Sequence, residues 1–231
     1  MASDRLANDQ TLRYAAALRE LYSSERAQRR AAEETLKQLT ASYGATVRAL
    51  AAALELRDDQ TGRHAERVTE LGLLLTARVE PDLLTDPELE YGFFLHDLGK
   101  IGVPDGVLLK PGPLTDEEFE QIREHPTLGE RIVGEVPYLD GAAREVVGSH
   151  HERWDGAGYP RGLTAGAIPL PARIFAVVDA YDAITNDRPY RPGRPAPAAL
   201  KELTAGAGSQ FDPHVVQEFV ALLAELERET A

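Results

Sequence analysis

The N-terminal quarter of the chain carries a heptad pattern of apolar residues. Residues 1 to about 56 contain no proline and one glycine, and their Ala, Leu, Glu, Arg and Gln content favours helix. The apolar a and d positions are Ala15, Leu18, Tyr22, Ala32, Leu36, Leu39, Tyr43 and Leu50, and Glu25, Arg29 and Thr46 interrupt them. One amphipathic helix packed on its own domain would fit this pattern, but the length favours a dimeric coiled coil. We therefore expect residues 1–50 to be a helical connector that forms a homodimer.

From about residue 57 onward, the starts of helices are well marked. Asp86-Pro87 and Asp212-Pro213 each place a capping carboxylate before a proline at the first helical position. Thr115 and Glu118 have the spacing of a capping box. Turn-rich connections separate these segments, at "VPDGVLLKPGPLT" and "ERWDGAGYPRGLTAGAIPLP".

The apolar segment "ARIFAVVDAYDAIT", residues 172–185, decides the fold class. Its β-branched residues would suit a strand, but its length and its two aspartates three positions apart favour a helix. The predicted fold is therefore all-α, with residues 51–231 as one domain.

Composition and charge limit the function classes. The chain has 231 residues, of which 43% are hydrophobic and 27% charged, so it can bury a substantial core. A formal net charge of −13 argues against binding of long nucleic acid. A metal ion in one pocket could still attract an anionic substrate. The absence of cysteine from the sequence excludes disulfides, thiolate zinc sites and cysteine nucleophiles.

Apolar runs in the sequence are too short to cross a membrane. The run "LGLLLTARV" is followed by Glu80 and Pro81, and it falls well short of the ~18 residues that a span requires. The N-terminus is polar and lacks the apolar core of a signal peptide. We expect no membrane span in this chain and a cytoplasmic location.

Five of the six histidines and two aspartates stand in distinctive, mostly apolar surroundings. They are His64, His96, His125, His150, His151, Asp97 and Asp179. A single such histidine is more often a satisfied core residue. Seven together favour a hydrolytic transition-metal site, because imidazole and carboxylate are its usual ligands and a buried aspartate needs a partner. The sixth, His214, follows a capping Asp-Pro and is expected on a helix surface.

The adjacent pairs His96-Asp97 and His150-His151 suggest more than one metal ion. Neighbouring residues on a helix point about 100° apart, so they cannot chelate one ion from one face. They can straddle a two-metal cluster with a bridging carboxylate. The glycines after His151 would let the following loop turn tightly beside the cluster.

Three segments of the sequence resemble the HD-GYP family of bacterial cyclic di-GMP phosphodiesterases. They are "HDLGK", "HHERWDGAGYP" and "VDAYDAITNDRPYR", and the resemblance extends over roughly residues 50 to 225. It implies an HD-type helical bundle that hydrolyses cyclic di-GMP to linear pGpG, with GMP as a further product.

The resemblance also implies two divalent transition metals, with iron or manganese favoured because the ligand set has no thiolate. His64, His96, Asp97 and Asp179 would hold one metal. His125, His150 and His151 would hold the second, with Asp97 bridging. Some relatives recruit a third metal with a glutamate four residues before the first histidine. Gln60 occupies that position here, so we expect two metals per chain.

The resemblance assigns further roles around the metals. Lys100 would contact a substrate phosphate or assist the leaving oxygen, and Arg188 and Arg191 would hold the phosphates. From its own position, three residues after Asp179 on the same helix face, Asp182 could either support a ligand or be an ordinary helix cap or salt-bridge partner. The loop of Gly158, Tyr159 and Pro160 would shape the substrate site and dock partners.

The sequence leaves two alternative functions open. The chain could hydrolyse another cyclic dinucleotide such as cyclic GMP-AMP, whereas the GYP loop and the "RPYR" segment argue against mononucleotides. It could also be a catalytically silent signalling module, but such a module should have lost metal ligands. An upstream sensory domain and diguanylate cyclases are the partners that the resemblance implies.

Overall fold

The computed structural model describes residues 2–58, 63–187 and 192–230. Those residues form ten α-helices and contain no strand, which confirms the all-α fold class. The helices are α1 (Ala2–Arg57), α2 (His64–Val79), α3 (Glu88–Leu95), α4 (Asp105–Leu108), α5 (Asp116–Arg123), α6 (His125–Gly134), α7 (Ala142–Ser149), α8 (Leu170–Thr185), α9 (Ala196–Gly206) and α10 (Pro213–Thr230). Short 3-10 turns cover Pro81–Thr85, Leu98–Gly102, Pro137–Leu139 and Ala165–Ala167.

The chain divides into two compact units, Met1–Thr46 and Val47–Ala231. The first unit consists of most of α1, the helix predicted from the heptad pattern. Several large side chains of the heptad seam are exposed there, at Leu18, Tyr22, Leu36 and Leu39. Helix α1 continues to Arg57, beyond the boundary at residue 50 that the heptads suggested.

The core of the second unit is formed by the packing of α2, α3, α7, α8, α9 and α10. Phe93, Phe175 and Phe219 are fully buried in it. Burial of a side chain of this size contributes about 1.5–3 kcal/mol. Helix α8 lies within this core, which explains its apolar, β-branched sequence and confirms the helix expected over 172–185.

The helix starts follow the predicted caps with one small difference. Thr115 and Glu118 form both hydrogen bonds of the capping box at α5. Asp212 accepts a hydrogen bond from the His214 amide at the start of α10. Asp86 likewise accepts from the Glu88 amide, but α3 begins at Glu88, one residue later than predicted. Within the described residues, no helix is both long enough and apolar enough to span a bilayer.

Candidate metal centre

The structure brings all seven singled-out histidines and aspartates together from five helices and the turns that follow them. One group consists of Asp97, His125, His150 and His151, and the other of His64, His96 and Asp179. Within each group the candidate ligand atoms lie within 4.8 Å of one another. His64 begins α2, His125 begins α6, and Asp179 lies within α8.

Asp97 lies between the two groups. Its Oδ2 is 3.1 Å from Nε2 of His96, and its Oδ1 is 3.3 Å from Nε2 of His125. The sequence suggested that each adjacent pair would lie on one helix. In the structure, both pairs lie where a helix ends. Helix α3 ends at Leu95 and Asp97 leaves the helical conformation, with φ −93° and ψ 8°. His150 likewise caps the C-terminus of α7, so the chain turns at both pairs.

Hydrogen bonds to the backbone orient the imidazole rings. His96, His125 and His150 each place Nδ1 against the carbonyl three residues earlier, at 2.9, 2.7 and 3.0 Å. A carbonyl can only accept, so Nδ1 carries the proton and each neutral ring has its lone pair at Nε2. The Nε2 atoms of His125 and His150 are 3.1 Å apart. Two lone pairs facing each other fit a bound cation, and this donor set suits a divalent transition metal.

The electrostatics favour the metal-binding forms of Asp97, His150 and His151, but not that of His96. Burial and the neighbouring imidazoles hold the pKa of His150 well below its usual value, and they lower that of His151 to about 4. Burial opposes charge on Asp97, but Lys100 and His96 outweigh it and hold its pKa well below the ordinary range. For His96, the attraction of Asp97 outweighs burial and raises the pKa. The site therefore combines an anionic Asp97 carboxylate with two histidines, His150 and His151, whose lowered pKa values favour the neutral ring.

Asp182 orients the first histidine. Its Oδ2 is 2.7 Å from Nδ1 of His64, and it also accepts hydrogen bonds from Arg67 at 2.6 and 2.9 Å and from Asn186 at 2.8 Å. Asp182 thus makes both of the contacts expected for it, with a candidate metal ligand and with an ion-pair partner. Arg67 lies one turn after His64 on α2, and the sequence analysis missed it.

Lys100 lies partly buried between two carboxylates. Its Nζ is 2.8 Å from Asp97 Oδ2 and 2.7 Å from Asp58 Oδ2. Burial opposes the ammonium charge, but the two aspartates outweigh it and raise the pKa of Lys100. Lys100 is thus a fixed cation beside the centre. Asp58 was not singled out from the sequence, where it is one of many charged residues near the end of α1.

The last turn of α1 contacts the turn that follows Asp97 and the start of α2. Arg57 donates hydrogen bonds to the carbonyl oxygens of Lys100 at 2.7 Å and Val103 at 2.6 Å, which lie in and after the turn that follows Asp97. The Glu55 carboxylate accepts from the amides of Arg63 and Ala65, at the start of α2. The sequence analysis missed both residues, and the charged run at the end of an otherwise alanine-rich helix was their only signal.

The GYP loop packs on the second histidine of its pair. The Tyr159 ring lies 4.8 Å from the His151 ring, and the Tyr159 amide donates to the His151 carbonyl. Gly158 is required by close approach, because a Cβ there would overlap the Arg153 amide and the His151 carbonyl. Buried Glu152 accepts from two loop amides, at 2.7 and 2.9 Å. The sequence analysis did not identify Glu152, although it directly follows the histidines.

A cavity of about 700 Å³ opens beside the centre, within the range of small-molecule sites. His150, His151 and Asp179 line it on the side of the centre, and Gly158 and Tyr159 line it from the loop. Pro160 follows in the same loop, joined to Tyr159 by a cis peptide bond. The predicted phosphate-binding residues Arg188 and Arg191, and Gln60, lie outside the residues that the structure describes.

Comparison with known proteins identifies the family. A family model described as "HD domain" matches residues 17–215. This chain belongs to the HD domain family. A cyclic di-GMP phosphodiesterase of Thermotoga maritima is 42% identical to it over 74% of the chain and 47% of the relative. One of Vibrio cholerae is 40% identical over 82% of the chain and 42% of the relative. The resemblance to the cyclic di-GMP phosphodiesterases of this family is thereby confirmed.

Other members of the family have a different named substrate. A 3'3'-cGAMP-specific phosphodiesterase of Vibrio cholerae is 34% identical over 77% of the chain and 35% of the relative. The chain thus spans about half or less of the length of these relatives. A solved cyclic GMP-AMP phosphodiesterase of the same organism shares the fold, with a TM-score of 0.60 at 20% identity over 78% of the chain and 48% of its own.

Proposed function

We propose that this chain is a metal-dependent phosphodiesterase that hydrolyses cyclic di-GMP to linear pGpG, with GMP as a further product. The observation that carries the proposal is the set of seven clustered histidines and aspartates beside a cavity of about 700 Å³. The cyclic di-GMP phosphodiesterases at 40–42% identity support the substrate. We assign the activity to residues 51–231 and a connecting role to residues 1–50.

We propose two divalent metals per chain, iron or manganese, held by the two groups with Asp97 between them. Such ions supply activation of water and neutralisation of charge on the phosphate. Histidine and carboxylate donors without thiolate suit iron and manganese, and the family resemblance, more than the ligand type, favours them over zinc. Gln60 in place of a glutamate supports two ions over three, because an amide oxygen is the weaker ligand for a hard cation.

Lys100 is proposed to act on the phosphate. In hydrolysis, the oxygen of a water bonds to phosphorus, the bond from phosphorus to the ribose 3′ oxygen breaks, and that oxygen takes up a proton. The raised pKa keeps Lys100 an ammonium, which can donate a hydrogen bond to the phosphate or to the leaving oxygen. Among the described residues, Asp97 and Asp58 pair with the Lys100 ammonium and engage two of its three N–H donors.

The test is incubation of the purified chain with cyclic di-GMP and iron or manganese, with the products resolved by mass spectrometry. We expect pGpG, and loss of activity with a chelator. Arg188→Ala and Arg191→Ala should raise the Michaelis constant without changing the metal content, because guanidinium groups bind phosphate and not cations. Absence of turnover by the metal-loaded chain would support the silent module instead.

A second candidate substrate is cyclic GMP-AMP. Three relatives named as 3'3'-cGAMP-specific phosphodiesterases, 32–36% identical to this chain, support it. The identities to the cyclic di-GMP enzymes are higher, so cyclic di-GMP is preferred. Comparison of kcat/KM for the two dinucleotides decides between them.

We also propose a cytoplasmic homodimer formed through residues 1–50, with an upstream sensory domain and diguanylate cyclases as partners. The exposed apolar seam of α1 supports the dimer.

A further inference from the structure

Helix α5 forms part of the cavity wall, the α5 rim, and contacts the GYP loop there. Phe119 and Arg123 lie four residues apart on this helix, so their side chains share a face, and both line the cavity. Phe119 is 47% exposed, although it is a large aromatic side chain. Neither residue belongs to the metal groups or to the segments that carry the family resemblance most strongly.

Arg123 connects this rim to the centre through a stack of rings. Its guanidinium carbon lies 4.9 Å from the centroid of the Tyr159 ring, and that ring lies 4.8 Å from the ring of His151. Stacking fixes the plane of the guanidinium and leaves its N–H edge able to donate hydrogen bonds. Arg123 also pairs with Glu120 at 2.8 Å, but that carboxylate is 66% exposed. An exposed pair of this kind is weak and a ligand can displace it.

A second arginine in the cavity is already engaged. Arg153 makes two hydrogen bonds to the Asp155 carboxylate, at 3.1 and 2.7 Å, so its guanidinium edge is occupied by a paired charge. Arg123 has only a single-atom contact with its exposed carboxylate. Of these two arginines, Arg123 is therefore the one placed to recognise a ligand.

We propose that Phe119 and Arg123 bind a guanine base of the substrate, an inference that rests on the proposed cyclic dinucleotide hydrolysis. Phe119 provides an exposed aromatic face on which a purine stacks. Arg123 donates two parallel hydrogen bonds to O6 and N7, the two adjacent acceptors of guanine. Adenine presents an amino donor in place of O6, so the same arginine disfavours it. The α5 rim thereby selects guanine for one of the two bases while the phosphate lies at the centre.

The first test compares base preference. The ratio of kcat/KM for cyclic di-GMP to that for cyclic di-AMP should fall about 10- to 100-fold in Arg123→Gln, because glutamine matches adenine and arginine matches guanine. Arg123→Lys keeps the charge and the donors but loses the planar fork, so it should retain part of the discrimination and fall between the parent and Arg123→Gln. The kcat/KM of the parent chain for cyclic GMP-AMP should be close to that for cyclic di-GMP, because cyclic GMP-AMP can place its single guanine at this rim. A ratio unchanged in Arg123→Gln would overturn the role of Arg123.

The second test separates base binding from chemistry. Phe119→Ala should raise KM for cyclic di-GMP about 5- to 100-fold by loss of stacking, and Phe119→Tyr should restore it. The kcat for cyclic di-GMP should change less than KM in Phe119→Ala, because the proposed contact is with the base and not with the reacting phosphate. Gln121→Ala, on the opposite face of α5, is the matched control and should change neither constant. A loss in kcat with KM unchanged would overturn the role of Phe119.

Binding without turnover keeps this inference distinct from the proposed function. Hydrolysis-resistant phosphorothioate analogues of cyclic di-GMP and cyclic di-AMP are titrated calorimetrically into the parent chain and Arg123→Gln. We expect the parent chain to bind the guanine analogue more tightly and Arg123→Gln to lose this preference. That result supports the proposed guanine site even if the parent chain hydrolyses no cyclic dinucleotide. In the contrary case, the parent chain hydrolyses cyclic di-GMP but binds the two analogues with equal affinity. That result would overturn the proposed guanine site and leave the proposed function standing.

Discussion

At the scale of single residues, the orientation of three imidazoles follows from hydrogen bonds to the backbone. A donated Nδ1–H leaves Nε2 as the ligand atom, and this pattern recurs at His96, His125 and His150. His64 differs, because its Nδ1 faces the Asp182 carboxylate. Each of these carbonyl acceptors lies three residues before its histidine, so ring orientation is a local property at three of these positions.

Asp97→Ala should remove both metals together. Its two carboxylate oxygens face histidines of different groups, so one substitution deprives each group of a ligand. We expect elemental analysis to find about two metal ions in the parent chain, close to none in Asp97→Ala and an intermediate content in His64→Ala. His214→Ala, at an exposed histidine of α10, is the control. Two ions still bound in Asp97→Ala would refute the bridging position.

The Asp182 cluster should make the fold sensitive to acid. Burial opposes the charge of Asp182, but His64 and Arg67 outweigh it and lower its pKa. A carboxyl with a folded pKa below the unfolded value of about 3.9 stabilises the fold above that pH, and this stabilisation is lost as the pH falls through the folded pKa. The difference in free energy of unfolding between the parent and Asp182→Asn should therefore be largest near neutral pH.

Urea denaturation in the presence of a chelator measures that difference without a contribution from metal binding. The difference in free energy of unfolding between the parent and Asp182→Asn should shrink progressively below about pH 4. A difference that stayed constant down to about pH 2 would contradict the lowered pKa.

At the scale of elements, close packing of turns and helices builds the centre. A Cβ at Gly99 would overlap the His125 carbonyl and the Gly129 amide, so the turn Leu98–Gly102 can approach α6 only with glycine there. The same turn is held from its other side by Arg57. The position of Lys100 is thus determined by contacts from two helices that are remote from it in sequence.

Arg57→Ala should loosen this turn. It removes hydrogen bonds from a charged donor to two carbonyls and to Asp105, and we expect a loss of about 1.5–3 kcal/mol in the free energy of unfolding. Activity should fall as well, because Lys100 lies in the turn. Arg48→Ala is the control, since Arg48 makes only a half-exposed ion pair of 3.6 Å with Glu90. Both changes are measured by chemical denaturation, and equal losses would contradict a specific role for Arg57.

At the scale of the whole molecule, an acidic protein carries a cation-binding centre. The net charge of −13 disfavours long polyanions, whereas the local balance at the centre is set by its own carboxylates, Lys100 and the proposed metals. The first unit contributes exposed apolar side chains and none of the seven clustered residues.

Residues 1–50 should therefore associate the chain into a dimer. Light scattering at micromolar concentration should give twice the chain mass of 25.2 kDa, because the seam of α1 can bury its leucines against a second copy. Leu36→Glu combined with Leu39→Glu should yield monomers. Lys37→Glu changes an exposed residue beside the seam and should leave the dimer intact. A monomeric parent chain would refute the coiled coil.

The sequence by itself determined the helices, the family and the seven clustered residues. Helix caps and heptads are local signals, and the spacing of the histidines and aspartates is specific enough to identify the group of enzymes that they resemble. Only the tertiary structure decided which residues support the centre. Asp58 lies 42 residues from Lys100, and Arg67 lies 115 residues from Asp182. Contacts between residues so far apart depend on how helices pack, and a charged residue has the same appearance in a sequence whether it faces water or a buried partner.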